Sequence, residues 1–316
     1  MNLLVTGADG FVGGWLVRAM LQAGHTVTGT CRPGLPPSAV LTGEERTATG
    51  WIELDVAVGQ SVLGLPDHRW DAVVHLAAVS SGGEARSDPG RAFEVNAAGT
   101  ARLAGWLGGR VEREEANPLF LLVSTAEVYG QGSGTARLES DPVEPCSPYA
   151  ASKVAGEVAA TEVARRTGLR VVTARPFAHT GPHQDTRFVV PALAERVRIA
   201  KRVGAPAICT GSLQPVRDLL DVRDVAAAYL ALLTGGVPGQ VYNIASGSGQ
   251  PLSDILDRLM RLAGHRVIAE YDSTLGRRAD IAHLVGDSGK LRASTGWRPT
   301  ISLDQTLQDL LDAQAD

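Results

Sequence analysis

Asn2-Leu3-Leu4-Val5-Thr6-Gly7-Ala8-Asp9-Gly10-Phe11-Val12-Gly13 lies at the start of a chain of 316 residues. A short apolar, β-branched run meets three glycines spaced GxxGxxG, and a helical pattern begins at Phe11. A strand entering a helix through such a turn is the phosphate-binding element of a dinucleotide fold. Gly7 permits the tight turn, Gly10 close approach of backbone to ligand, and Gly13 packing of the helix on the sheet. The unpaired amides of the helix N-terminus then hold a pyrophosphate, with Asp9, Phe11 and Val12 completing the cofactor-binding loop.

Outward from this turn, apolar runs at 2–6, 25–30, 51–54, 71–76, 119–124 and 169–174 alternate with helical patterns that begin near Phe11, Pro89 and Pro148. The first of these helices ends before Gly24, a residue suited to a left-handed cap. Strands alternating with helices predict a parallel sheet, hence an α/β, Rossmann-type doubly wound fold. After Arg175 the rhythm breaks at Pro176, Gly181, Pro182 and Pro191, and strands at 241–245 and 267–271 become sparse between helices. The expected division is a mainly NADP(H)-binding Rossmann domain over 1–175 and a smaller, mainly substrate-binding lobe over 176–316, some of whose segments return to the sheet. Residues 31–50 and 130–148 read as loops, the second expected to order on substrate.

Hydrophobic residues make up 44%, charged residues 20%, and the formal net charge is −4, which gives neither a disorder signature nor a basic field for nucleic acid. Cys31, Cys146 and Cys209 are odd in number and contain no CxxC pair, so neither a disulfide framework nor a metal site is indicated. The expected compartment is reducing and cytoplasmic. No signal peptide or run of transmembrane length is apparent, so no membrane partner is expected and the mature chain is expected to start at Met1.

Where NAD-binding chains usually carry an acid at the end of the second strand, this chain has Thr30-Cys31-Arg32. Arg32 can pair with a 2′-phosphate, which favours NADP(H) and leaves NAD(H) possible. Asp55-Val56 ends the third strand and can bond an adenine edge, or simply form a strand-end turn. In His75-Leu76-Ala77-Ala78 the small residues, Ala77 among them, leave room for a cofactor, whereas His75 reads as a packed core histidine.

Tyr149-Ala150-Ala151-Ser152-Lys153 places a phenol and an ammonium one helical turn apart on one face. A tyrosine ordinarily titrates near pH ~10, and a nearby ammonium with an oxidised nicotinamide would favour its phenolate. Lys153 can also hold the nicotinamide ribose. Thr125, in Ser124-Thr125-Ala126-Glu127-Val128-Tyr129-Gly130, can bond the reacting oxygen. Glycine motif, strand-end threonine and YxxxK occur in the order that a hydride-transfer site requires.

These motifs resemble the nucleotide-sugar epimerase, dehydratase and reductase branch of the extended short-chain dehydrogenases/reductases, over nearly the whole chain. Within it, Phe188-Val189-Val190-Pro191, Pro215-Val216-Arg217-Asp218, Asp221-Val222-Arg223-Asp224-Val225, Leu284-Val285-Gly286-Asp287 and Thr295-Gly296-Trp297-Arg298-Pro299 are similar to GDP-6-deoxy-4-keto-mannose reductases, which make GDP-rhamnose. The resemblance implies a GDP-linked nucleotide-sugar substrate. It places Arg217 and Arg277 on the diphosphate or nucleotide, Ser80 and Ser81 near the hexose, His179 and Val189 on the substrate, and Pro176 beside the cofactor. Arginine geometry suits phosphate. Asp221, Arg223 and Asp224 read instead as supports of the following helix. Two departures stand out: relatives usually carry Asn where this chain has Ala178, and Pro where it has Arg278.

The resemblance also implies a homodimer, made by pairing the Tyr-Lys helix, where Ala150, Ala151, Ala155 and Ala159 permit close packing. Glu127 keeps other readings open, because related 4,6-dehydratases use a carboxylate there as general base. The implied activity is reduction of a C4 ketone, with a 4,6-dehydratase or 4-epimerase using tightly bound NAD(P) as the alternative. A non-catalytic dinucleotide-binding regulator is the second alternative.

Overall fold

The computed structural model describes residues 1–131, 134–275 and 281–313. Six strands, β1 (Asn2–Thr6), β2 (Thr26–Cys31), β3 (Gly50–Glu53), β4 (Ala72–His75), β5 (Leu119–Val123) and β6 (Arg170–Pro176), follow one another with helices between. Beyond them come β7 (His179–Thr180), β8 (Ala207–Thr210), β9 (Val216–Asp218), β10 (Leu220–Asp221) and β11 (Val241–Ile244). The last three are β12 (Gly249–Pro251), β13 (Ile268–Tyr271) and β14 (His283–Leu284). A seven-stranded sheet of order β11-β6-β5-β4-β1-β2-β3 is parallel throughout. Its order reverses at β1 and β4, the crevice where doubly wound folds bind ligands.

Both faces of this sheet are buried, which is why its strands read as continuous apolar runs. On one face Leu3, Val5 and Val74 pack with Leu16, Val17 and Met20 of the helix Phe11–Gln22 and with Tyr229 and Leu232 of the helix Val222–Gly235. On the other, Leu4, Val73, Phe120 and Leu122 pack with Leu103, Leu107, Ala160 and Val163. A separate core joins the helices Val189–Val203, Leu252–Ala263 and Leu303–Ala313 through Leu193, Val197, Leu256, Leu259 and Leu310. Small sheets β7/β10, β8/β13 and β9/β12/β14 surround it.

Strand boundaries lie within about two residues of the sequence reading, and the first helix stops at Gln22 with Gly24 in the left-handed region. The stretch 31–50 is not loop alone: Gly43–Ala48 is helical, started by a capping box in which Thr42 and Glu45 bond each other's backbone amides. In the described part of 130–148, buried Arg137 donates its amide to Val285 and Glu144 donates its own to Val128. Asp221 caps the helix Val222–Gly235, and Asp224 accepts from Thr300 and Ile301, as supports of that helix should. Among the described residues no helix is long and apolar enough to cross a membrane.

Candidate active site

At the carboxyl ends of the central strands a cavity of about 710 Å³ runs from the glycine turn to β9. Gly7 adopts φ +72°, and a Cβ there would meet the Ala77 amide nitrogen at 2.8 Å. A Cβ on Gly13 would meet the Gly7 carbonyl at 2.2 Å, so Gly13 packs the helix onto its own turn rather than onto the sheet. Gly10 donates to the Gly7 carbonyl at 3.1 Å and caps the helix without a side chain. First-turn amides therefore meet the cavity across bare backbone, a cradle that fits a pyrophosphate.

Arg32 is extended into solvent, its side chain 73% exposed, and its Nε donates to Asp9 Oδ2 at 3.3 Å. Asp9 and Arg32 both line the cavity. Asp55 divides its oxygens: Oδ1 accepts from the Ala57 amide at 2.9 Å as a strand-end turn, while Oδ2 faces Arg91 at 3.5 Å. Val56, Phe11, Val12, Ala77 and Pro176 all line the same cavity.

Beneath Ala77 sits His75. Thr100 Oγ1 donates to the Asn96 carbonyl, so it accepts from His75 Nε2, and Thr6 Oγ1 donates to His75 Nδ1. Burial and the Lys153 charge push this imidazole down to about 3, so it is neutral and structural. Asn96, in a π-helical turn (Glu94–Gly99), bonds both the amide and the carbonyl of Val79 and donates to Ser152 Oγ at 2.9 Å. It clamps the cavity wall to the helix Pro148–Thr167 and was not visible in the sequence, because its partners are distant along the chain.

That helix starts at Pro148 behind the cap Ser147, whose Oγ accepts from the Ala150 amide at 3.1 Å. Tyr149 and Lys153 both line the cavity. Lys153 Nζ donates to the Val123 carbonyl at 2.6 Å, and burial pulls the ammonium down to about 8 against the opposing pull of Glu157. Thr125, two residues beyond β5, lines the cavity beside Tyr149 and caps the short helix Ala126–Tyr129 that carries Glu127. Burial, then the Glu127 charge, raise Tyr149 well above its ordinary value. In the free chain the phenol is therefore protonated, and the phenolate expected from the ammonium together with an oxidised nicotinamide belongs to the cofactor-bound state.

On the far side, His179 Nδ1 donates to the Phe177 carbonyl at 2.9 Å, leaving Nε2 as the acceptor, and burial lowers its pKa. Arg217 donates Nη1 to the carbonyls of Val216 and Ile281. Ser80, His179, Val189 and Arg217 line the cavity, whereas Ser81 does not: its hydroxyl caps the helix Gly82–Ser87. Arg277 and Arg278 lie outside the described residues. Arg91, Gln184 and Arg187 also border the cavity, and no motif marked them in advance. Ala150 is fully buried and cannot belong to an outer helix face, on which Val158 is 64% exposed.

A crevice of this shape beside a Tyr-Lys pair whose lysine is buried defines a dinucleotide-dependent oxidoreductase of the short-chain dehydrogenase/reductase kind. The model of the NAD dependent epimerase/dehydratase family matches residues 3–245, and the chain belongs to that family. It is 34% identical over 313 residues to the GDP-6-deoxy-D-mannose reductase of Pseudomonas aeruginosa, covering 98% of this chain and 96% of that protein. The solved structure of RMD from Pseudomonas aeruginosa complexed with NADPH superposes with a TM-score of 0.84 at 33% identity, covering 99% of this chain and 98% of that one. A dTDP-glucose 4,6-dehydratase of Xanthomonas campestris pv. campestris is 29% identical, over 98% of this chain and 92% of its own length.

Lys153 allows a signed test. Its pKa is about 8 in the folded chain against 10.5 for the free side chain, so between these values the unfolded state binds more protons and stability rises with pH. Below about 8 the whole penalty is present. Lys153→Met is thus expected to be more stable than the parent at pH ~7, by roughly 1–3 kcal/mol in urea unfolding, with the gap closing toward pH ~10.5. A less stable variant at neutral pH contradicts the assignment.

Proposed function

We propose that this protein reduces the C4 ketone of a nucleotide-linked 4-keto-6-deoxyhexose with NADPH, converting GDP-4-keto-6-deoxy-mannose to GDP-rhamnose. The observation that carries this reading is the meeting of Tyr149, Thr125 and Lys153 at one cavity beside the glycine turn, where a protonated phenol can act as acid at a carbonyl oxygen. A reduction needs an acid at the carbonyl oxygen, whereas a dehydratase or epimerase cycle begins by removing a proton from a sugar hydroxyl. The near full-length similarity to a GDP-6-deoxy-D-mannose reductase supports the same choice.

NADPH, when bound, supplies the hydride. Tyr149 gives its proton to the C4 oxygen as the secondary alcohol forms, and Thr125 Oγ1 holds that oxygen in place. The Lys153 ammonium bonds the nicotinamide ribose and steadies the charge left on the phenol. Gly7, Gly10 and Gly13 admit the pyrophosphate, Arg32 takes the 2′-phosphate, and Asp55 with Val56 takes the adenine edge. His179, Arg217, Val189 and Ser80 face the sugar nucleotide, with Arg217 directed to its diphosphate.

The assay adds enzymatically prepared GDP-4-keto-6-deoxy-mannose and NADPH to purified protein, follows absorbance and separates the products. A parallel sample contains GDP-mannose and NADP. NADPH oxidation yielding a GDP-deoxyhexose, abolished in a folded Tyr149→Phe variant, is the expected result. A keto-sugar appearing from GDP-mannose without oxidation makes Glu127 the base of a dehydratase. Cofactor binding with turnover of neither leaves a non-catalytic dinucleotide-binding protein.

Arg32→Ala is expected to weaken NADPH on the order of tenfold or more while leaving NADH nearly unchanged. Equal losses in fluorescence titrations would remove Arg32 from the 2′-phosphate site. We further propose a homodimer built on the outer face of the helix Pro148–Thr167, where Val158 is exposed among Ala155 and Ala159. Sedimentation should give twice the chain mass, and Val158→Arg should give a monomer; a parent chain that sediments as a monomer overturns this arrangement.

A further inference from the structure

One turn beyond Lys153, on the face shared with Tyr149, Glu157 meets a second buried charge. Arg175, at the end of β6 and 5% exposed, donates Nε to Glu157 Oε1 at 3.0 Å and Nη2 to Oε2 at 2.6 Å. Its remaining nitrogen, Nη1, donates to the Tyr129 hydroxyl at 3.0 Å, and that hydroxyl donates to Asn243 Oδ1 on β11 at 2.7 Å. The guanidinium also lies 5.0 Å from the Tyr129 ring centre. Tyr129 belongs to the short helix that carries Glu127, and Pro176 and Phe177, directly after Arg175, line the cavity. One bidentate pair therefore joins the Tyr-Lys helix, the strand that ends at the cofactor wall and the segment that presents Glu127.

Such a pair is expensive to bury and adds little to stability over an apolar pair of similar shape, so its place behind the reacting groups calls for another role. We infer that Glu157 and Arg175 are positioning residues of the active site, their fork fixing the helix that carries Tyr149 and Lys153 against β6. For its turnover readout this inference rests on the proposed reduction.

Titratable groups reach the Tyr149-Lys153 pair from every packed element: His75 on β4 and Glu157 on the same helix meet Lys153, Glu127 on the short helix and Tyr229 on the helix Val222–Gly235 meet Tyr149, and Arg175 on β6 joins Glu157 to Tyr129. His75 is held neutral, and Glu127 acts on Tyr149. Glu157 is the group that raises Lys153 against burial. On the outer side Glu162, Arg165 and Arg166 border the same surface groove as Glu157.

The test compares the full chain with Glu157→Gln, which keeps shape and removes charge, and Glu157→Asp, which keeps charge and shortens reach. NADPH binding is followed by cofactor fluorescence from about pH 6 to about pH 10, and keto-sugar reduction by absorbance. With Glu157→Gln the alkaline midpoint of NADPH binding is expected to move down by about one pH unit. The same variant should lose kcat on the order of tenfold with KM for the sugar unchanged. Glu157→Asp should restore the midpoint while recovering only part of kcat.

An unmoved midpoint in folded Glu157→Gln overturns the inference, as does a Glu157→Asp variant that behaves like Glu157→Gln. Should Glu157→Gln fail to fold, Arg175→Lys decides: it keeps the charge but loses the fork, so undiminished kcat overturns the role and reduced kcat at an unchanged midpoint supports it. Absence of keto-sugar reduction in the parent chain would defeat the proposed function alone, because the binding midpoint is read without the sugar.

Discussion

An ammonium group buried against a single carbonyl oxygen is the constraint on which the site is built. Lys153 Nζ reaches the Val123 carbonyl at the end of β5, and water, the usual partner of a lysine, is largely excluded. The charge can stay there only if the surroundings are fixed and provide compensation. The surroundings meet both conditions. Asn96 and Ser152 tie the lysine's helix to the wall at Val79, Glu157 and Arg175 tie the same helix to β6, and the imidazole of His75, held by two threonines, is kept neutral by burial and by the lysine's own charge.

From that fixed point the reacting groups take their places. Tyr149 stands one turn before Lys153, and Thr125 stands two residues after the carbonyl that holds the lysine. Parallel strands ending side by side bring β5 and β6 to the floor of the crevice, and the reversal of strand order at β1 and β4 opens it for a dinucleotide. Burial and Glu127 keep the phenol protonated in the free chain. A protonated phenol in this position can give a proton to a carbonyl oxygen, the role proposed for Tyr149.

The parts that could be read in the sequence are those fixed by local geometry. A glycine turn needs glycine because a Cβ at Gly7 or Gly13 would overlap backbone, and a YxxxK pair shares a helix face by periodicity alone. The strand pattern was legible because both faces of the sheet are buried. The short helix at Gly43–Ala48 was legible in principle through Thr42 and Glu45, a capping signal hidden in a polar, glycine-containing stretch. Hidden altogether were partnerships between distant segments. Asn96 with Val79 and Ser152, or Glu157 with Arg175, leave no spacing to recognise, and Ser81 turned out to cap a helix instead of lining the cavity.

The ionisation of Lys153 is the quantity closest to the centre of this account. Carbon-13 labelling of lysine side chains, with Lys153→Met to assign the resonance, reads it directly by NMR in the free protein. The structure predicts a titration midpoint at about 8, set by burial and opposed by Glu157. A midpoint at the ordinary lysine value of about 10.5 would contradict it, since the ammonium would then be solvated and no longer fixed beneath the crevice.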